Sequence, residues 1–509
     1  MSILETRVQP AAESFRTAEQ EKVAPVKRRA RRPRILIVTP ELNSTNSLKV
    51  RSGRVPCAKA GGLADACTLL VDSLSEAGAD VHVTMPHFRN LCREPVISRR
   101  LHLCEDREFY YRRSVYDGDA NANRRAALVF QRDVIQHVIP QVRPDIVHCH
   151  DWMTALVPAA ARKMGIKSLF TVHNLHDERA TLAEIEDRGI DAAGFWDELY
   201  FDRYPTSYYE CRDSVPVSFM PSAIHAADQV NTVSTSFLYE MMEGKHPAAW
   251  NLIDVLRAKF SVGSASGIVN APSGNWHPSA DPFIAKRYDC DSQQAGKLAN
   301  KLALQRACGL EEDAEAPILF WPSRLDPVQK GCQLLADILY RIVSDYTALG
   351  LQVVFVADGP FRPYFEQIAD FHGLRHRIAI CGFNENLSRQ AFAGSDFVLM
   401  PSAYEPCGLA QLVGLNYGSL PIVHRTGGLN DTVRPLGQDR GNGFVFETHD
   451  ANGLRWAIDQ AMQFFIRSAD ERNPQISRVM RESAKEFSPD RAARSYFEIY
   501  EKLAGRSLY

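Results

Sequence analysis

The chain has 509 residues, 45% of them hydrophobic and 24% charged, with a formal net charge of −2. That balance fits a globular protein of two or more domains and excludes a polyanion binder held by bulk positive charge. The 11 cysteines include no Cys-x-x-Cys pair, so neither a disulfide framework nor a zinc ribbon is expected, and a reducing, cytoplasmic setting is.

Residues 1–33 read as a polar, basic, flexible tail. Its cluster Lys27 to Arg34 leads directly into an apolar run without a signal-peptide core, and no stretch is long and apolar enough to span a bilayer. A second reading of this tail is a polyanion anchor or transit sequence. From residue 34 the pattern alternates strand and helix, which predicts an α/β fold of doubly wound parallel sheets. Strands are expected at Ile35 to Val38, Val81 to Met85, Ile146 to His148, Leu169 to Val172 and Gln229 to Val233, with helices such as Leu63 to Ala77 and Met153 to Lys163 between them. A second round begins at Ile318 to Trp321 and continues with Val353 to Val356, Ile378 to Cys381, Phe397 to Met400 and Leu420 to Val423, closing near Phe444. The seam is expected in the Pro- and Gly-bearing stretch from Asn270 to Pro282. This divides the chain into a first Rossmann-like domain over 34–275, a second over 276–487 and a terminal helix over 488–509.

Open α/β sheets bind ligands beyond the carboxyl ends of their strands, so the polar residues there are the candidates. In the first half they are Lys59, Gly61 and Gly62 ahead of a helix, Asp151 after one strand, and His173 and Asn174 after the next. In the second half they are Arg324, Lys330, Phe383, Glu405 and the loop Thr426-Gly427-Gly428. Glu405 lies in Tyr404-Glu405-Pro406-Cys407-Gly408-Leu409, a turn that follows an apolar strand. The unhindered N–H groups of Thr426, Gly427 and Gly428, at a helix start, form a nest suited to phosphate oxygens. A lone carboxylate followed by such a nest suits the grip of a sugar carried on a diphosphate. Taken singly, each residue also has an ordinary reading: Lys59 as a lysine before a helix, Glu405 as a cap, His173 as a structural imidazole, and Phe383 as core.

These motifs, in this order, resemble the bacterial glycogen synthases and plant starch synthases, retaining glycosyltransferases that use ADP-glucose. The resemblance runs from Arg34 to about Tyr500 and is most specific in Glu-Pro-Cys-Gly-Leu followed by Arg425-Thr426-Gly427-Gly428-Leu429. It implies the two-Rossmann-domain architecture called GT-B, a terminal helix from Ser488 to Leu503 crossing back to the first domain, and transfer of glucose to an α-1,4-glucan. It also implies roles. Arg324 and Lys330 would bind the diphosphate, and Lys59 with Gly61 and Gly62 would contact the donor from the first domain. Phe383 would stack on adenine. Glu405, Asp151 and His173 would act at the sugar, joined there by Asn174, Asn270, Cys407, Gly408 and Leu409. Front-side transfer, with the leaving phosphate taking the acceptor proton, implies no metal and no cofactor. The implied partners are a nucleotide sugar and an α-glucan, with no nucleic acid and no membrane.

The chain departs from the family pattern in several places. The loop Asn43 to Ala58 is longer, one extra residue separates Arg324 from Lys330, and Asn270-Ala271-Pro272-Ser273 replaces Asn-Gly-Ile-Asp. The tract His176 to Ser218 lacks Tyr-Gln-Gly. Two alternatives stay open: a UDP-sugar-dependent retaining transferase, and a weakly catalytic glucan-binding paralogue. The first is disfavoured by Val413, which stands eight positions after Glu405 where sucrose-synthase-like enzymes carry a second acid.

Overall fold

The computed structural model describes residues 32–45, 47–48, 58–91 and 98–508. The tail expected over 1–33 therefore lies almost wholly outside the described residues, as does most of the lengthened loop after Asn43.

The first half contains β1 (Arg34–Val38), β2 (Asp80–Pro86), β3 (Leu101–Cys104), β4 (Ile146–His150), β5 (Lys167–Val172), β6 (Arg179–Ala180), β7 (Val217–Ser218), β8 (Gln229–Thr232) and β9 (Ala265–Gly267). The second half contains β10 (Ile318–Trp321), β11 (Gln352–Val356), β12 (Ile378–Cys381), β13 (Phe397–Met400), β14 (Leu420–His424) and β15 (Phe444–Phe446). Seven strands form a sheet in the order β3-β2-β1-β4-β5-β8-β9, and six form another in the order β12-β11-β10-β13-β14-β15. Every pairing in both sheets is parallel. β6 and β7 make a small antiparallel pair. The two α/β lobes thus each have a switch point, between β1 and β4 in the first and between β10 and β13 in the second, where strand order reverses.

The buried strands are apolar on both faces because helices cover both. In the second lobe, alternate residues divide between two cores. Leu319, Trp321, Val353, Phe355 and Leu399 face one, while Ile318, Phe320, Val354, Val356, Val398 and Met400 face the other. β3 and β9 were not expected from the sequence. β9 is an edge strand of small residues pressed on the helix Thr235–Met242; a Cβ added at Gly267 would lie 2.4 Å from the Thr235 backbone. The expected helix from Met153 instead begins as a 3₁₀ turn, Trp152–Thr154, and becomes α-helical over Val157–Lys163.

The connection between the lobes is fastened early to the second. The Asn275 carbonyl accepts from Arg389 at 2.7 Å, and the fully buried Asp281 pairs with Arg389 at 3.1 Å and accepts from the Tyr417 hydroxyl. On the other side, Ile268 N–H still donates to the Thr232 carbonyl of the first lobe at 2.8 Å, so the crossing lies between Ile268 and Asn275. A second crossing is the helix Pro489–Ala504, whose Tyr496, Phe497 and Tyr500 belong to the first lobe's core. Tyr500 pairs its hydroxyl with His148 Nδ1 at 2.7 Å, and Tyr496 accepts from Asn231 at 3.2 Å.

Candidate active site

In the second lobe, the turn after β13 positions Glu405. Its carboxylate accepts from Lys330 Nζ at 2.6 Å and from Ser402 Oγ at 3.0 Å, and both Glu405 and Lys330 are buried. Lys330 reaches it because Gly331 turns left-handed, φ 70°, with its Cα so close to β13 that a Cβ would lie 2.0 Å from the Pro401 carbonyl. No other residue fits there. Arg324, after β10, is exposed and has no ion-pair or hydrogen-bond partner for its guanidinium among the described residues. Its neighbour Leu325 donates to the Asp358 carbonyl at 2.9 Å, and the Asp358 carboxylate accepts the Phe383 N–H at 3.1 Å. The ends of β10, β11 and β12 are thereby stitched together. Phe383 is not core: the residue is 63% exposed.

The Thr426 loop differs from expectation. Gly428 N–H donates to the Glu405 carbonyl at 2.9 Å, and Gly427 N–H donates at 2.8 Å to the carboxylate of Glu240, a first-lobe residue that also accepts from Thr426 Oγ1 at 3.3 Å. A Cβ at Gly427 or Gly428 would sit 2.0 Å from the Glu405 or Cys407 carbonyl respectively. The glycine pair is required for packing beneath the Glu405 turn, and both glycine N–H groups are taken by protein oxygens. Burial opposes the Glu240 charge, but hydrogen bonds from His246 and Gly427 hold its pKa below the usual range.

In the first lobe, a row of imidazoles runs from β4 to the residue after β5. His148 and His150 lie on β4, with His150 Nδ1 2.9 Å from His173 Nε2 just past β5. Burial holds the pKa of all three down, that of His173 to about 3, so these rings are neutral hydrogen-bonding groups at neutral pH. Asp151 was expected at the sugar, but its carboxylate is buried, accepting from the His173 N–H at 3.3 Å and from the Asn174 amide. It acts as a positioning residue for the turn that carries His173 and Asn174. Its own backbone is left-handed, φ 64°, a geometry that costs roughly 1–3 kcal/mol and recurs at functional sites. Burial lifts its pKa to about 7.

The Lys59 loop is anchored by a carboxylate that the sequence reading missed. Glu41, directly past β1, accepts the N–H groups of Ala60 at 2.6 Å and Gly61 at 3.1 Å, with Tyr116 donating from behind at 3.1 Å. Burial raises the Glu41 pKa against those bonds. Gly61 N–H is therefore committed to Glu41, and Lys59 is exposed and paired with Asp65 at 2.8 Å. The one available signal was position: Pro40-Glu41 follows the strand at the first switch point.

The lobes meet at these motifs. A Cβ on Gly62 would lie 3.5 Å from Leu409 Cδ1. Ser234 Oγ donates to the Pro406 carbonyl at 2.7 Å, and the Tyr404 ring stands edge-on to His246 at 5.8 Å. Asn270, buried in the interlobe connection, sets its backbone beside the buried Cys407 thiol. Gly408, φ 72°, continues the turn. The turn from Tyr404 to Leu409 is thus gripped by first-lobe residues along its length.

Two Rossmann-like lobes meeting at their switch points, with an acid and cations on one side and neutral imidazoles on the other, define a glycosyltransferase of the GT-B class. Residues 34–257 match the starch synthase catalytic domain model, and residues 316–463 match the model for glycosyl transferases group 1. The glycogen synthase of Geobacillus thermodenitrificans is 31% identical over 88% of this chain and 96% of its own, and that of Bacillus subtilis is 32% identical over 89% and 97%. The catalytic domain of starch synthase IV from Arabidopsis thaliana, solved bound to ADP and acarbose, superposes with a TM-score of 0.78 at 25% identity, covering 94% of this chain and all of that one. Sucrose-phosphate synthase from Thermosynechococcus elongatus shares the fold, with a TM-score of 0.59 at 18% identity over 93% of this chain and 100% of its own. The chain belongs to the glycogen and starch synthase family of retaining glucosyltransferases.

Proposed function

We propose that the chain transfers glucose from ADP-glucose to the non-reducing end of an α-1,4-glucan. The observation that carries this reading is the buried Lys330–Glu405 pair at the second switch point, with the Arg324 guanidinium, unpaired among the described residues, on the same edge of the sheet. Lys330 has three N–H donors, so one can hold Glu405 while others meet a phosphate oxygen. Arg324 brings a planar fork to the same diphosphate. Negative charge that builds on the leaving phosphate meets fixed cations, and Glu405 orients the sugar hydroxyls. From the first lobe, neutral His173 and Asn174, positioned by Asp151, donate to the glucose. The leaving phosphate then takes the acceptor proton on the face it vacates, a step that needs neither a basic side chain nor a metal.

The adenine preference draws support from the exposed Phe383 ring and from Val413, which is buried in the core where a ribose-binding acid would have to emerge. It also draws on the starch synthase relative solved with ADP. The described cysteines are all free and no helix among the described residues is long and apolar enough to cross a membrane, which suits a cytoplasmic enzyme acting on a nucleotide sugar and a glucan. The test is incorporation of glucose into glycogen from ADP-glucose and UDP-glucose, with Glu405→Ala as control. ADP-glucose is expected to be the better donor and the variant inactive. Equal incorporation by the variant would favour a glucan-binding paralogue, and preference for UDP-glucose would overturn the donor assignment.

A further inference from the structure

We propose that Cys67, His150 and His173 form a site for a thiophilic divalent ion such as zinc, and that the ion switches glucose transfer off. One ligating atom from each side chain lies within 4.8 Å of the other two. Tetrahedral zinc with bonds of about 2.3 Å to sulfur and about 2.0–2.1 Å to nitrogen sets its ligand atoms roughly 3.3–3.7 Å apart, so side-chain shifts of about 1 Å close the set.

A second, independent observation points to a ligand. His150 Nε2 is buried and has no hydrogen-bond partner among the described residues, while the ring's other nitrogen faces His173 at 2.9 Å. A buried polar atom left unsatisfied is costly, and in a native protein it calls for an explanation. The ring cannot turn away to find a partner. It packs against His148 with centroids 4.0 Å apart, and His148 is itself fixed between Tyr500 and Thr171 at 2.7 Å on each side. Such outer contacts are what orient imidazoles for a metal. Cys67, on the helix Gly62–Glu76, is held from behind by a hydrogen bond from Thr39 Oγ1 at 3.3 Å. His173, mostly buried but the least enclosed of the three, is the side from which the ion enters.

Coordination forms a metal–thiolate bond, releases the Cys67 proton to solvent and changes no oxidation state. The ion draws His173 inward, away from the glucose it would otherwise contact. That consequence rests on the placement of His173 at the donor sugar; the binding of the ion does not.

The two are separated by adding cobalt(II) to the full-length protein in a non-chelating buffer with a phosphine reductant, and by measuring zinc inhibition of transfer in parallel. The wild type is expected to give a thiolate-to-cobalt absorption band saturating at about one ion per chain, and zinc inhibition that EDTA reverses. Cys67→Ser and Cys67→Ala are expected to lose the band and to require at least about tenfold more zinc for inhibition, with uninhibited activity retained. His150→Gln serves as a further variant should those fail to fold. No band in the wild type, or a band and zinc sensitivity unchanged in folded Cys67→Ala, overturns the site. A band without inhibition overturns the switch. If His173→Ala is inactive while the wild type binds no cobalt, the sugar assignment stands and the metal site falls.

Discussion

Lys330 and Glu405, 75 residues apart in sequence, meet at 2.6 Å in a buried pair at the second switch point. A buried pair of this kind adds little stability over an apolar substitute, yet removing one partner strands the other charge. Lys330→Ala is therefore expected to destabilise the fold by about 3–5 kcal/mol and to cut turnover at least about 100-fold. Denaturant melts beside steady-state rates test both.

Arg324 provides the contrast, because it is exposed and unpaired among the described residues. Arg324→Ala should leave stability within about 0.5 kcal/mol while lowering kcat/KM for the donor about 100-fold. A fall in stability matching that of Lys330→Ala would show that Arg324 has a structural duty instead.

Phe383, exposed at the end of β12, is expected to stack on the base. Phe383→Ala should raise the donor KM about tenfold and Phe383→Trp should restore it, since base–aromatic stacking is worth roughly 1–3 kcal/mol. An unchanged KM in Phe383→Ala would place the base elsewhere.

The Asp151 carboxyl, lifted to about 7 by burial, gives stability a pH dependence of known sign. Between its ordinary pKa and about 7 the native state binds the proton that the unfolded state has lost, so its stabilising share is complete at low pH and is lost as pH rises through 7. The buried imidazoles, His173 at about 3, act oppositely and cost stability as pH falls below the usual histidine value. Thermal melts from pH 5 to 8 should therefore show Asp151→Asn gaining on the wild type as pH rises, by up to a few kcal/mol. A constant gap across that range would mean that Asp151 is charged in the native state throughout.

Much of the fold was legible because strands covered on both faces read as apolar runs, from Ile35 through Phe397 to Leu420. β3 and β9 were not legible: Leu101 to Cys104 is short and mixed, and Ala265 to Gly267 is chosen for closeness to Thr235 instead of for hydrophobicity. In the site, the motif residues could be read from their position at strand ends. What they bond to could not. Gly427 N–H is as able to hold a phosphate as a carboxylate, and its acceptor Glu240 comes from 187 residues away. Glu41 likewise works through backbone N–H groups of a loop 19 and 20 residues on, a pairing with no side-chain signature.

The central claim is that both lobes act on one donor sugar, and the most direct measurement is the effect of His173→Ala, a first-lobe change, on turnover and on ADP affinity. The account predicts a fall in kcat of at least about 100-fold with ADP affinity, set by the second lobe, within about threefold of the wild type. Unimpaired turnover in His173→Ala would contradict it.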